Sequence, residues 1–308
     1  MKTHYQTVII GGGPGGYSAA LYCARSAISV LVLEKLSAGG QMATTGIVEN
    51  YPGFEEGIDG LDLGEKMQQQ AERFGAETVY ASVESVDLHA QPKVVHTSDG
   101  DVLADSVILA SGAYPRELGL PQERTLRGRG VAYCATCDGM MYKGKDVIIV
   151  GGGNSAIADA LYLEKIAHSV TLIHRRSELR ASKVYEKQLK NSKIHFIWNS
   201  RIKEILADKK VTGAIIENLQ TKETQELAAQ GIFVAIGRVP DTEMLKGQLT
   251  LDHSGYIVAD ETTCTSIPGV FAVGDVRAKP LRQIVTAVSD GAIASKYVEE
   301  YLAGLDAS

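Results

Sequence analysis

An α/β architecture of two parallel-sheet units, one inserted into the other, is what three features of the 308-residue sequence predict. A strand, glycine turn and helix at the N-terminus recur in mid-chain. Each copy is followed by a second β-branched strand at matched spacing. A last buried strand and helix, beyond residue 245, complete the first unit rather than the second. The expected division is 1–116 and 245–308 for one domain and 117–244 for the other.

Composition agrees with such a chain. Apolar residues are 44% and charged residues 22%, ordinary for a protein with real cores, and aromatics are only 6%. The 32 glycines against 8 prolines point to tight backbone turns rather than linker. A net charge of −6 and a pI near 5.7 exclude a general polyanion binder, so neither nucleic acid nor a membrane surface is expected as partner. No apolar run reaches the ~18 residues of a bilayer span. The apolar stretch Val8–Ile10 breaks off at Gly11, so no leader is read at the N-terminus. A cytoplasmic protein is expected.

The first unit opens with Val8–Tyr22 (VIIGGGPGGYSAALY), the second with Ile148–Tyr162 (IIVGGGNSAIADALY), at a constant offset of 140. The offset continues without gaps, so Val30 matches Val170, Leu33 matches Ile173, and Glu34 matches His174. Each copy reads as buried strand, glycine turn, alanine-rich helix and second strand, the unit of a parallel sheet. Gly11, Gly13 and Gly16 with Pro14 fit G-x-G-x-x-G; Gly151, Gly153 and Ala156, with Asn154 and Ser155, fit its G-x-G-x-x-A form. The first glycine makes the turn, the second admits a pyrophosphate, and the third position brings helix against strand. The helix N-terminus then offers N–H groups and a positive dipole to the phosphates. One such turn alone can be a plain strand-to-helix connection. Two with matched second strands define two Rossmann-like three-layer dinucleotide-binding domains.

The copies diverge at the end of the second strand. Glu34, 18 residues after Gly16, can accept hydrogen bonds from a ribose diol. His174 takes that place in the second copy, followed by Arg175, Arg176 and, one helical turn on, Arg180. Guanidinium groups bind a 2′-phosphate through charge-assisted forks. A solvated basic stretch is the bland alternative. The first unit is therefore expected to hold a dinucleotide with a free ribose, and the second NADP.

Later elements repeat too. Val107–Pro115 (VILASGAYP) parallels Ile232–Pro240 (IFVAIGRVP), each a buried strand ending in a glycine turn and proline. Hairpin meanders precede both, at Glu84–Val102 around Asp99-Gly100 and at Ile202–Leu227 around Lys209-Lys210. The tail returns through the strand at Val270–Asp275 to a helix expected over Arg282–Leu302.

Just before the second copy lies Cys134-Ala-Thr-Cys137-Asp138. A structural zinc site needs four ligands, and Cys23 and Cys264 are isolated, so both are read as inert buried thiols. A dithiol–disulfide couple fits a C-x-x-C beside nucleotide units. Asp138 is either a turn residue before Gly139 or a proton donor to a departing thiolate, provided its environment raises its pKa.

These motifs, with Gly39-Gly-Gln41-Met42, Glu49-Asn50-Tyr-Pro-Gly53, Gly274-Asp275 and Arg282-Gln283, resemble the low-molecular-weight thioredoxin reductases of bacterial type over essentially the whole chain. The resemblance implies FAD in the first domain and NADPH in the second, a homodimer, and electron delivery to thioredoxin. It implies a flavin site at Gly39, Gln41, Asn50, Asp275, Gln283 and Ile284, to which Lys35, Ala110, Gly112, Gly274 and Arg282 are added; Ile236 and Gly237 join the NADPH site. It also implies rotation of the inserted domain, which presents nicotinamide and disulfide to the flavin in turn. Met140 and Met141 stand where the family often has two aromatics; with Arg129 they are the candidate thioredoxin contacts. Asn154 and Asp159 are further departures at the turn and helix. A ferredoxin reductase would need no C-x-x-C, a lipoamide-type reductase would carry C-x4-C in the first domain, and an NADP-sensing module would need neither flavin site nor reactive pair. A thioredoxin-like or peroxidase partner remains the alternative to thioredoxin itself.

Overall fold

The computed structural model describes residues 2–44, 46–181 and 185–307, and the chain divides into two compact units. Met1–Tyr114 with Val239–Ser308 forms the first and Pro115–Arg238 the second. The return crossing thus falls at Arg238/Val239, ahead of 244, because the chain after Pro240 already bonds first-unit backbone: Asp241 N–H donates to Gly112 O at 3.1 Å. Among the described residues, the α-helices are α1 (Pro14–Arg25), α2 (Gly60–Arg73), α3 (Ala135–Asp138), α4 (Asn154–Leu163), α5 (Glu186–Lys190) and α6 (Ile284–Asp306).

In the first unit, strand His4–Ile10 lies between parallel neighbours Val30–Glu34 and Gly100–Leu109. Glu77–Tyr80 extends the sheet beyond Val30–Glu34. Gly100–Leu109 serves twice, pairing antiparallel with Lys93–Thr97 in its first half and parallel with Val270–Ala272 in its second. Successive side chains of a strand point to opposite faces. Accordingly Val8, Ile10 and Leu33 enter one core, while Ile9, Val32 and Ile108 enter the other beneath α1 and α6. α1 starts at Pro14, whose missing N–H costs nothing in a first turn. The Asp59 carboxylate caps α2 by accepting from the N–H groups of Leu61 and Asp62. α6 begins at Ile284 rather than Arg282 because Gln283 and Thr286 form a capping box, and it runs past Leu302.

The second unit repeats the arrangement. Asp146–Gly151 lies between parallel strands Ser169–Ile173 and Gly231–Ala235, with His195–Ile197 and Val131–Ala132 at the edges. Val150 faces Ile173 here as Ile10 faces Leu33 in the first unit, so the 140-residue offset is a register as well as a sequence match. The meander Ser200–Ala207, Val211–Asn218 and Thr224–Ala228 forms a separate antiparallel sheet. Both expected hairpins are present. Residues 174–181 are bends and extended chain, so Arg180 is not placed by a helical turn. Its N–H instead donates to Gly152 O at 2.7 Å, which brings it to the glycine loop directly.

Candidate active site

Both glycine turns have the backbone their chemistry requires. Gly11 has φ +108, and a Cβ there would meet Ala110 O at 2.4 Å; a Cβ on Gly16 would meet Gly11 O at 2.0 Å. Gly151, at φ +158, stands in the same relation to Ala235 O, and Ala156 holds the third position. Gly13 and Gly153, by contrast, face nothing within 4 Å. Each is also the N-cap of its helix, with no side chain bonded to the first-turn N–H groups. That is the cradle a dinucleotide pyrophosphate fits: open space at a positive helix end whose N-cap brings no side chain of its own.

The side chains behind the turns differ in kind. The Glu34 carboxylate accepts the Gly12 N–H at 2.7 Å and the N–H groups of Lys35 and Leu36 at 2.8 and 3.1 Å. His174 occupies the matching place, its ring so close to the second turn that a Cβ on Gly152 would lie 2.2 Å from Nδ1. Its Nε2 is buried without a hydrogen-bond partner, and Trp198 meets the ring edge-on at 6.3 Å. Burial, with Arg175 and Arg176 nearby, holds this imidazole below its ordinary pKa, so it is neutral at pH 7. Arg175, Arg176 and Arg180 are exposed around it.

Some of the other residues expected at the first turn meet it, and others are placed elsewhere. Gly39 N–H donates to Gly12 O at 2.8 Å, and a Cβ on Gly40 would sit 3.4 Å from the Gly13 Cα. Asn50 Nδ2 donates to Gln283 Oε1 at 3.0 Å, joining the 49–55 segment to the start of α6. An open pocket of about 530 Å³ is lined by that segment. A Cβ on Gly15 would stop 3.5 Å from Gly274 N, which puts the Gly274–Asp275 turn beside the loop. Gly112, at φ +77, faces open space. Arg282 is committed within the protein: it donates to Asp275 O and Arg277 O, and lies 3.9 Å over the Tyr256 ring. Ile236 is exposed beside Gly237, at φ +105.

In the second unit, Cys134 and Cys137 are joined in a disulfide. Cys134 caps α3, its Sγ accepting the Cys137 N–H at 3.2 Å. Gly139 lets α3 lie against α4, for a Cβ there would press to 2.8 Å from the Tyr162 ring. Asp138 is half-buried, and burial pushes its carboxyl up to about 6, with the Arg127 guanidinium opposing. Such a group exchanges protons near neutral pH, as a general acid must. Met140 and Met141 are 48% and 52% exposed, whereas Tyr142 turns inward to meet the Phe233 ring edge-on. Arg129 is exposed as well. Cys23 is buried and its thiol is pushed up to about 12, an inert group. Cys264 is only partly buried, contrary to expectation, because it sits near the sheet edge where the Thr263–Thr265 segment runs past Phe271. No cluster of three or more potential metal-ligating residues exists among the described residues.

Two kinds of residue escaped sequence reasoning. Buried Glu123 accepts the N–H groups of Leu118, Gly119 and Leu120 and the hydroxyl of Tyr133, tying down the residue before Cys134. Buried Asp290 accepts the Gly274 N–H at 2.9 Å. The signal for Asp290 was an Asp-Gly pair inside a long helix, where both types are poor formers.

Two dinucleotide folds and a closed C-x-x-C disulfide define a nucleotide-dependent disulfide oxidoreductase. A family model described as pyridine nucleotide-disulphide oxidoreductase matches residues 5–291. Among curated relatives, the thioredoxin reductase of Peptoclostridium acidaminophilum is 47% identical over 309 residues, covering 98% of each chain. That of Streptomyces clavuligerus is 48% identical over 302 residues, 97% of this chain and 94% of that protein. The crystal structure of thioredoxin reductase from Streptococcus pyogenes superposes with a TM-score of 0.92 at 44% identity, covering 99% of this chain and 100% of the other. The chain belongs to the thioredoxin reductases of the pyridine nucleotide-disulphide oxidoreductase family.

Proposed function

We propose that the protein is an NADPH-dependent thioredoxin-disulfide reductase working through Cys134 and Cys137. The observation that carries this reading is a closed C-x-x-C disulfide with a proton-exchanging carboxyl, Asp138, directly beside it. FAD and NADPH, when bound, supply the hydride chemistry. Gly11, Gly13, Pro14, Gly16, Glu34, Lys35, Gly39, Gln41 and Asn50 hold FAD, with Ala110, Gly112, Gly274, Asp275, Arg282, Gln283 and Ile284. Support comes from Gly39, Ala110 and Gly274, which lie against the open glycine loop. Gly151, Gly153, Asn154, Ser155 and Ala156 hold the NADPH pyrophosphate, and Arg175, Arg176 and Arg180 its 2′-phosphate. His174 lies beneath them as a neutral wall, and Ile236 and Gly237 complete the site.

The chain's own chemistry is thiol–disulfide exchange. Two electrons and two protons open Cys134–Cys137 to the dithiol, and Asp138 gives a proton to the sulfur that leaves. One cysteine, as thiolate, attacks the partner disulfide to form a mixed disulfide and expel a partner thiol. The other cysteine attacks the mixed disulfide, which frees the reduced partner and closes Cys134–Cys137 again. Exposed Met140, Met141 and Arg129 dock the partner, methionine being an apolar surface that adapts its shape. The protein works as a cytoplasmic homodimer. Among the described residues no helix is long and apolar enough to cross a membrane.

The deciding experiment follows NADPH oxidation at 340 nm with oxidised thioredoxin in the parent and in Cys137→Ser. Thioredoxin-dependent turnover in the parent and its loss in the variant is the expected result. Turnover only with a thioredoxin-like or peroxidase disulfide would move the reading to that partner.

A further inference from the structure

The Gly274–Asp275 turn is held from behind by a residue that lies one helix away. Gly274 has φ +74, and its N–H donates not to its own strand but to Asp290 Oδ2 at 2.9 Å, in the interior of α6. The same oxygen receives the Lys279 ammonium at 2.6 Å, and Oδ1 faces the Arg277 guanidinium at 3.4 Å. All three side chains are nearly closed to solvent, at 7%, 5% and 12% exposure for Asp290, Lys279 and Arg277. Arg277 also donates to Asp260 O, and Lys279 to Thr286 O at 3.3 Å. The residue after Asp290 completes the joint. A Cβ on Gly291 would lie 2.3 Å from Gly15 O and 2.7 Å from Ala19 N, so only glycine lets α6 rest on the glycine loop and α1. A Cβ on Gly15 would likewise meet Ala287 O of α6 at 3.2 Å and Gly274 N at 3.5 Å.

We propose that Asp290 is a positioning residue for the flavin: its carboxylate fixes the Gly274–Asp275 turn against the Gly11–Gly16 loop and the first turns of α6. The inference rests on the reading of the first unit as the FAD site. Three segments assigned to that site meet at this one side chain and its neighbour. A buried ion pair is by itself weak support for a stabilising role, because desolvation offsets the attraction. What Asp290 adds is a backbone hydrogen bond to the residue before Asp275. Loss of that bond frees the turn to swing Asp275 away, and FAD is then held less tightly. Lys279 and Arg277 flank the carboxylate and do not themselves hold the turn.

The experiment separates the ion pair from the hydrogen bond. Apoprotein is prepared from the parent, from Lys279→Met, and from Lys279→Met/Asp290→Leu, which removes the closer charge pair at similar volume and leaves Arg277 its bond to Asp260 O. FAD dissociation constants are read by quenching of flavin fluorescence, and apoprotein melting temperatures by circular dichroism. Lys279→Met is expected to bind FAD within about threefold of the parent. The double variant is expected to bind at least tenfold more weakly than Lys279→Met at a temperature where both apoproteins are folded. Equal affinity of the two variants, whatever their melting temperatures, overturns the proposal, and so does a tenfold loss in Lys279→Met alone. Should the double variant not fold, Asp290→Asn serves in its place. It retains one oxygen that must choose between Gly274 and the cations; a weakened FAD affinity supports the proposal and parental affinity overturns it. Failure of the parent apoprotein to take up FAD would instead sink the reading of the first unit.

Discussion

Replacing Asp138 by asparagine should make the enzyme slower and the protein more stable, with the stability gain appearing above pH 3.8 and complete above about 6. The carboxyl lies about two pKa units above its ordinary 3.8 because burial disfavours its charged form. For an acid raised in the folded state, the cost of ionisation is absent below pH 3.8, where both states are protonated. It grows between pH 3.8 and 6 and is fully present above 6. Two units correspond to about 3 kcal/mol, and partial exposure lowers this to about 1–2 kcal/mol. Asp138→Asn keeps the shape and removes the ionisation, so the oxidised protein should melt several degrees higher at pH 8 and unchanged at pH 4. Thioredoxin reduction should fall about 10²–10⁴-fold, the usual contribution of a positioned proton donor. Thermal melts across pH 4–8 and turnover with thioredoxin are the assays. If Asp138 were simply a turn residue before Gly139, the variant would melt lower at both pH values and turn over normally. That pair of results would refute the acid role.

The NADPH site should be read by its arginines: Arg175→Ala with Arg176→Ala should raise the Michaelis constant for NADPH at least tenfold more than that for NADH, at about 1.5–3 kcal/mol per charge-assisted contact. Equal effects on both nucleotides would remove the 2′-phosphate assignment. Cys134→Ser and Cys137→Ser should each still show bleaching of bound flavin by NADPH at 450 nm while losing thioredoxin reduction, and retained turnover in either would mean another thiol is the shuttle. Met140→Ala with Met141→Ala should raise the thioredoxin Michaelis constant by a factor consistent with about 2 kcal/mol of lost apolar contact, with the melting temperature nearly unchanged because both side chains are about half exposed. A lowered melting temperature with an unchanged Michaelis constant would make them packing residues instead.

What could be read in the sequence followed from local rules, and what could not followed from distant chain meeting. The glycine turns, their helices and their paired strands are local: spacing fixes them, and the matching registers at Ile10–Leu33 and Val150–Ile173 are its consequence. The dithiol and its neighbouring carboxyl are contiguous and equally legible. The raised pKa of Asp138 was visible only as a condition, since it depends on α3 lying against α4 through Gly139. Glu123 left no signal, and the Asp-Gly pair at Asp290 marked an oddity in the helix without saying what it touches. Glu123 turns back on the N–H groups of Leu118, Gly119 and Leu120 within its own loop, a geometry that no residue pattern marks, and no spacing rule links residue 274 to residue 290. Arg180 shows the opposite error: helical spacing was assumed where a single backbone bond to Gly152 does the placing.

The duplication also sets two different side chains behind one backbone turn, and the proposed nucleotide preferences separate there. The same turn, at the same register, is backed by Glu34 in one unit and His174 in the other. Glu34 puts a carboxylate at the strand end, where it accepts the Gly12 N–H, so a second anion there would be repelled. His174 is held neutral by burial and by the arginines beside it, which removes that repulsion without adding a cation beneath the loop. The positive charge is placed outside instead, on exposed Arg175, Arg176 and Arg180, where a phosphate can approach from solvent. A histidine rather than a glutamate at this position therefore serves by what it lacks. His174→Glu should abolish the preference for NADPH over NADH even with all three arginines intact, because the carboxylate would return under the loop. If the preference survived that change, the arginines alone would set it, and the neutral wall would be packing only.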